Sequence, residues 1–123
     1  MTGNRILIVD DSLDAAEAVA MLLDSEGHEV RTAPTAHAAM REVQAWHPEV
    51  VLIDLGLPDM DGHELAQALG ALPLDPRPVL IALSGYGSPE DLARSRAAGM
   101  RDHLVKPTEP DRLFAAVDEA VHG

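Results

Sequence analysis

Five polar residues stand where apolar runs stop. Asp10 and Asp11 follow ILIV, Asp54 follows VVLI, Ser84 follows VLIAL, and Lys106 follows LV. Three carboxylates gathered in one place repel one another unless something positive intervenes. A hard divalent cation meets that need. Mg²⁺ takes one or two protein carboxylates and completes its shell with water and phosphate oxygens. Lys106 adds a second positive charge. In such a site one carboxylate can attack phosphorus, because metal and ammonium neutralise the incoming phosphoryl oxygens; the product is an aspartyl phosphate. Ser84 can donate a hydrogen bond to one of those oxygens. The remaining work is positioning and charge neutralisation.

These side chains meet only if the runs before them are strands that end at one edge. Arg5 to Val9 reads as a first strand, continuously apolar as in a parallel sheet buried on both faces. A helix follows from about Leu13 to Glu26, with Ala15, Val19, Leu22 and Leu23 on one stripe and Gly27 as its stop. His28 to Ala33 is the second strand. Thr35 caps a helix whose period is carried by Ala36, Ala39, Met40 and Val43. Glu49 to Ile53 is the third strand and delivers Asp54. After a turn-rich loop, a helix runs from about His63 to Leu72. Val79 to Leu83 is the fourth strand. Ser88-Pro89-Glu90 starts a helix that stops near Gly99. Arg101 to Val105 is the fifth strand, and Pro110 to Val121 the last helix. Strands that alternate with helices across short loops predict an α/β fold: a doubly wound, five-stranded parallel sheet flanked by five helices. Ligands of such sheets bind beyond the carboxyl ends of the strands, where the five polar residues fall.

A chain of 123 residues supports one core, and with one Trp, one Tyr and one Phe that core must be aliphatic. The formal net charge of -12 repels nucleic acid and anionic membranes, so neither is an expected partner. Cysteine is absent, which removes disulfides and thiolate metal sites. The run Ile6 to Val9 is too short for a signal peptide, and no segment reaches the length of a membrane span. The expected location is cytoplasmic.

The blocks ILIVDD, VLIDLGLPDMDG, ALSGYG and HLVKP resemble, in this order, the receiver domain of two-component response regulators. The resemblance runs from Ile6 to about Val121. It implies that Asp54 accepts the phosphoryl group and that Lys106 pairs with it, while Ser84 is the switch hydroxyl. It implies that Asp11 is the direct Mg²⁺ ligand, that Asp10 acts through metal-bound water, and that the backbone carbonyl of Gly56 completes the protein's share. It implies a cis bond before Pro107. The expected donors are a histidine kinase or a histidine phosphotransfer protein, and the expected output surface is helix four, strand five and helix five. ALSGYG and RDHLVKP are similar especially to receivers attached to hybrid histidine kinases. A single receiver domain over residues 1–123, without an output domain, follows. Such a domain catalyses only its own phosphorylation and dephosphorylation.

Two other classes share the fold. A flavodoxin-like carrier needs a first loop rich in Ser, Thr and Gly; Asp10-Asp11-Ser12 would repel a cofactor phosphate, and no GxGxxG follows the first strand. A phosphatase with an aspartyl intermediate needs a substrate cap that this chain is too short to carry.

One residue departs from the receiver pattern. His103 sits where receivers usually carry Tyr or Phe. Imidazole is flat enough to turn inward, but its two polar nitrogens are costly to bury without partners. The expectation is a weak or pH-sensitive switch that is exposed when protonated. Tyr86 is expected as a surface aromatic over the mouth of the site.

Overall fold

The computed structural model describes residues 3–122. Met1, Thr2 and Gly123, which the expected span of 1–123 includes, lie outside the described residues. Strands and helices alternate throughout: β1 Arg5–Val9, α1 Leu13–Ser25, β2 Glu29–Ala33, α2 Ala36–Trp46, β3 Val50–Asp54, α3 Gly62–Ala71, β4 Val79–Ser84, α4 Pro89–Ala97, β5 Asp102–Val105 and α5 Pro110–His122. All strands pair in parallel, in the order β2-β1-β3-β4-β5. The chain reverses its direction of winding between β1 and β3, and a crevice opens there beyond the strand ends.

Strand alternation divides the core in two. Leu7, Val9, Val51 and Ile53 face the side covered by α2 and α3, through Ala36, Ala39, Val43, Leu65 and Leu69. Ile6, Ile8, Val50 and Leu52 face α1 and α5, through Ala16, Leu23, Leu113 and Val117. Both faces of β1 and β3 are therefore sealed, which explains why these strands read as unbroken apolar runs. Truncating Leu52 to alanine at this depth would cost about 2–5 kcal/mol.

Helix starts are fixed by side chains that accept free backbone N–H groups. Thr35 accepts from Ala38, and Ser88 forms a reciprocal capping box with Asp91. The cap of α1 is Ser12, which accepts from Ala15. Neither Asp10 nor Asp11 is consumed as that cap. Gly27 ends α1 at φ +88°, in the left-handed region that favours glycine. Gly62 is required by space instead, since a Cβ there would lie 2.7 Å from the Leu55 Cα. That close approach folds the loop after β3 back onto the strand end.

Candidate phosphoacceptor and metal site

β1, β3 and β5 deliver the charged residues to one edge. Asp54 is the last residue of β3 and pairs in register with Leu83 of β4. Leu55 N–H continues that ladder onto Leu83 O, and Lys106 N–H bonds Ser84 O at 2.7 Å. The backbone ladder thus continues for one residue past β3 and β5, which fixes the backbone at Asp54 and at Lys106.

Asp10, Asp11 and Asp54 each offer one carboxylate oxygen, and the three oxygens lie within 4.8 Å of one another. Asp10 is buried. Its Oδ1 accepts Ser12 N–H at 2.9 Å, and its Oδ2 lies 3.2 Å from Lys106 Nζ. Asp11 is exposed. Asp54 is half-buried; its Oδ1 accepts Gly56 N–H at 3.0 Å, and its Oδ2 lies 3.4 Å from Lys106 Nζ. Burial pushes the Asp54 carboxyl above the ordinary carboxylate value. The Gly56 N–H and the Lys106 ammonium oppose that rise, and neighbouring Asp10 adds to it.

Three carboxylates against one ammonium leave two negative charges uncompensated when all are ionised. Hard oxygen donors this close, with excess negative charge, suit a hard divalent cation and suit no soft metal. The chemistry of the donor set therefore fits Mg²⁺.

Ser84 is buried at the end of β4, and its Oγ accepts Tyr86 N–H at 3.0 Å. It lines an open pocket with Asp54, Gly56, His63, Tyr86 and Arg94. Tyr86 is 76% exposed at the rim of that pocket, as expected. The Lys106–Pro107 peptide is cis, as the resemblance implied; Asp75–Pro76 is cis as well. A second, apolar groove runs beside Lys106, between Ala15, Val19 and Leu22 of α1 and Pro107 at the head of α5.

His103 takes the inward position that its flat ring permits. It is buried, with 8% exposure, and both ring nitrogens are satisfied: Nδ1 lies 2.8 Å from Ser95 Oγ and Nε2 lies 2.8 Å from Tyr86 O. The burial cost anticipated from the sequence is offset by these partners. Sequence reasoning also missed Asp59. This loop residue accepts the free N–H groups of Ala36 and His37 at 2.9 and 3.2 Å, and His37 Nδ1 lies 2.6 Å from it. The only signal was an acid among turn formers.

The chain belongs to the response regulator receiver domain family, whose model matches residues 6–118. A 14.6 kDa protein of Leptolyngbya boryana is 33% identical over 93% of this chain and 87% of its own length. The cell cycle response regulator CtrA of Brucella ovis is 32% identical over 95% of this chain. The chain spans half the length of that relative. Among solved structures, a response regulator from Chloroflexus aurantiacus superposes with a TM-score of 0.93 at 29% identity, covering 99% of this chain and all of the other. The chemotaxis response regulator CheY4 of Vibrio cholerae gives 0.90 at 28% identity, covering 97% and 99%. A receiver domain is not an independent enzyme beyond the phosphorylation and dephosphorylation of its own aspartate. Among the described residues, no helix is long and apolar enough to cross a membrane.

Proposed function

We propose that this chain is a phosphoacceptor module that takes a phosphoryl group from a phosphohistidine onto Asp54, in the cytoplasm, and relays the change through its surface. The observation that carries this reading is the position of Asp54, next to two further carboxylates and under the Lys106 ammonium. Asp10, Asp11, Asp54 and the carbonyl of Gly56 would hold Mg²⁺, which when bound neutralises phosphoryl oxygens. Lys106, already between Asp10 and Asp54, would turn its charge to the phosphoryl group. The donor's P–N bond breaks as the Asp54 O–P bond forms. The donor imidazole, protonated on its other nitrogen, leaves as the neutral ring. Ser84 supplies a hydroxyl within the same pocket.

A histidine kinase or a histidine phosphotransfer protein would be the donor. The apolar groove beside Lys106, with Leu13 and Met21 exposed on α1, gives such a protein a place to seat against the site. The output surface would be α4, β5 and α5, where Leu92, Arg94, Val105 and Asp111 are exposed. The net charge of -12 speaks against nucleic acid as its partner. Transfer of labelled phosphoryl from a panel of phosphorylated donors tests the reading, with amide exchange read before and after. Label should move to the wild-type chain with Mg²⁺ and not to D54A, and exchange should change on α4, β5 and α5. Transfer that persists in D54A, or exchange changes confined to α2 and α3, would contradict it.

A further inference from the structure

We propose that His63, Ser95 and His103 form a hydrogen-bond relay that holds one extra proton and anchors α4 to α3 and β5. It concerns the unphosphorylated chain, so it stands or falls apart from the role of Asp54.

The relay runs through four contacts. Asp61 Oδ1 lies 3.2 Å from His63 Nδ1, and His63 Nε2 lies 3.3 Å from Ser95 Oγ. Ser95 Oγ lies 2.8 Å from His103 Nδ1, and His103 Nε2 lies 2.8 Å from Tyr86 O. A hydrogen count decides what this chain of atoms needs. Four contacts require four hydrogens. Two neutral imidazoles and one hydroxyl supply three, and an ionised carboxylate and a carbonyl supply none. The Tyr86 carbonyl only accepts, so His103 Nε2 carries a hydrogen. With both rings neutral and His63 donating to Asp61, His63 Nε2 and His103 Nδ1 both wait on the one Ser95 hydrogen. Turning His63 to its other tautomer sets its lone pair against the Asp61 carboxylate. Every arrangement that satisfies all four contacts holds one additional proton.

Surrounding charges say where that proton rests. His63 faces Asp61 directly, and Arg94 of α4 reaches the same carboxylate only at 3.9 Å. Asp54 and Asp91 line the pocket on that side, and Glu64 lies beside it. His103 has Asp91 of α4 and Asp102 of β5 nearby. Asp102, however, is bridged by Arg112 of α5 at 2.9 and 3.1 Å, and Arg96 and Arg101 line the same recess. Acids dominate around His63 and arginines around His103, so His63 is the imidazolium. Ser95 then accepts from His63 and donates to His103.

The consequence falls on α4. Ser95 is the one buried residue of that helix, so the helix has little apolar anchorage and is pinned in its last turn by this hydroxyl. With His63 still donating to Asp61 and His103 still donating to the Tyr86 carbonyl, loss of the proton breaks one of the two Ser95 bonds, either to α3 or to β5. The seating of α4 is thus tied to proton occupancy.

Long-range ¹H–¹⁵N NMR of the histidine rings, titrated on the intact chain, tests this. Expected are one common midpoint for His63 and His103, a His103 Nε2 that stays protonated through the step, and faster α4 amide exchange above it. S95A should split the midpoints, and S95T, which keeps the hydroxyl, should keep them together. H63N should remove the shared step from the His103 curve, which keeps the test open should S95A not fold. Separate midpoints in the wild-type chain, no step in either ring, or a His103 curve unchanged in H63N would overturn the relay.

Discussion

The Lys106 ammonium lies 3.4 Å from Asp54 Oδ2 although two different strands carry the residues and β4 separates them in the sheet. The side chain leans back over the end of β4 and also reaches Asp10, 3.2 Å away beyond β1. One flexible cation therefore ties three strand ends together. Removing it leaves a buried carboxylate and a half-buried one without a counter-charge. K106M should lower the stability of the metal-free chain by about 1–3 kcal/mol, between the values for surface and buried pairs. Mg²⁺ should restore more stability to K106M than to the wild type. Thermal melts with and without Mg²⁺ read both effects; identical melts for the two proteins would refute them.

Asp10 and Asp11 are adjacent in sequence and different in surroundings. Asp10 is committed to Ser12 N–H and Lys106, whereas Asp11 is exposed, and among the described residues its carboxylate has no hydrogen-bond partner. A free carboxylate is the better direct ligand. D10N should weaken Mg²⁺ binding about tenfold, as loss of a supporting group does, and D11N should weaken it further. Calorimetric titration of both variants decides the order, and equal affinities would contradict it.

Asp59 closes the open end of α2 from the loop that also carries Gly56. Backbone hydrogen bonds from Ala36 and a bond from His37 hold its carboxyl down to about 2. A depressed carboxyl contributes stability that is present above its unfolded value, near 3.8, and lost as pH falls toward the folded value. The wild-type chain should lose this contribution between about pH 4 and pH 2. D59A should melt a few degrees lower at neutral pH, and the gap should narrow in acid. A constant gap across that range would rule out the ionised carboxylate as its source.

Much of this site is legible in the sequence. Ile6 to Val9 and Val50 to Ile53 are apolar on both faces because helices cover both faces, so their ends could be found from hydrophobicity alone. Once the strands were parallel, Asp10, Asp54, Ser84 and Lys106 had to share an edge. Element boundaries moved by a residue or two: β5 opens at Asp102 rather than Arg101, and α3 at Gly62 rather than His63. The polar contacts were not legible. Ser95 meets His63 and His103 across 32 and 8 residues, and Asp59 meets His37 across 22. No periodicity encodes such pairings. The inward seat of His103 is not legible for the same reason: the partners that offset the cost of burying imidazole come only from tertiary packing.

The assignment of Asp54 is tested most directly by intact-mass spectrometry after exposure to a small acyl phosphate with Mg²⁺. One added phosphoryl group is expected on the wild-type chain, with none when Mg²⁺ is chelated and none on D54A. The same mass increase on D54A, or its full persistence without Mg²⁺, would contradict Asp54 as the metal-dependent phosphoacceptor.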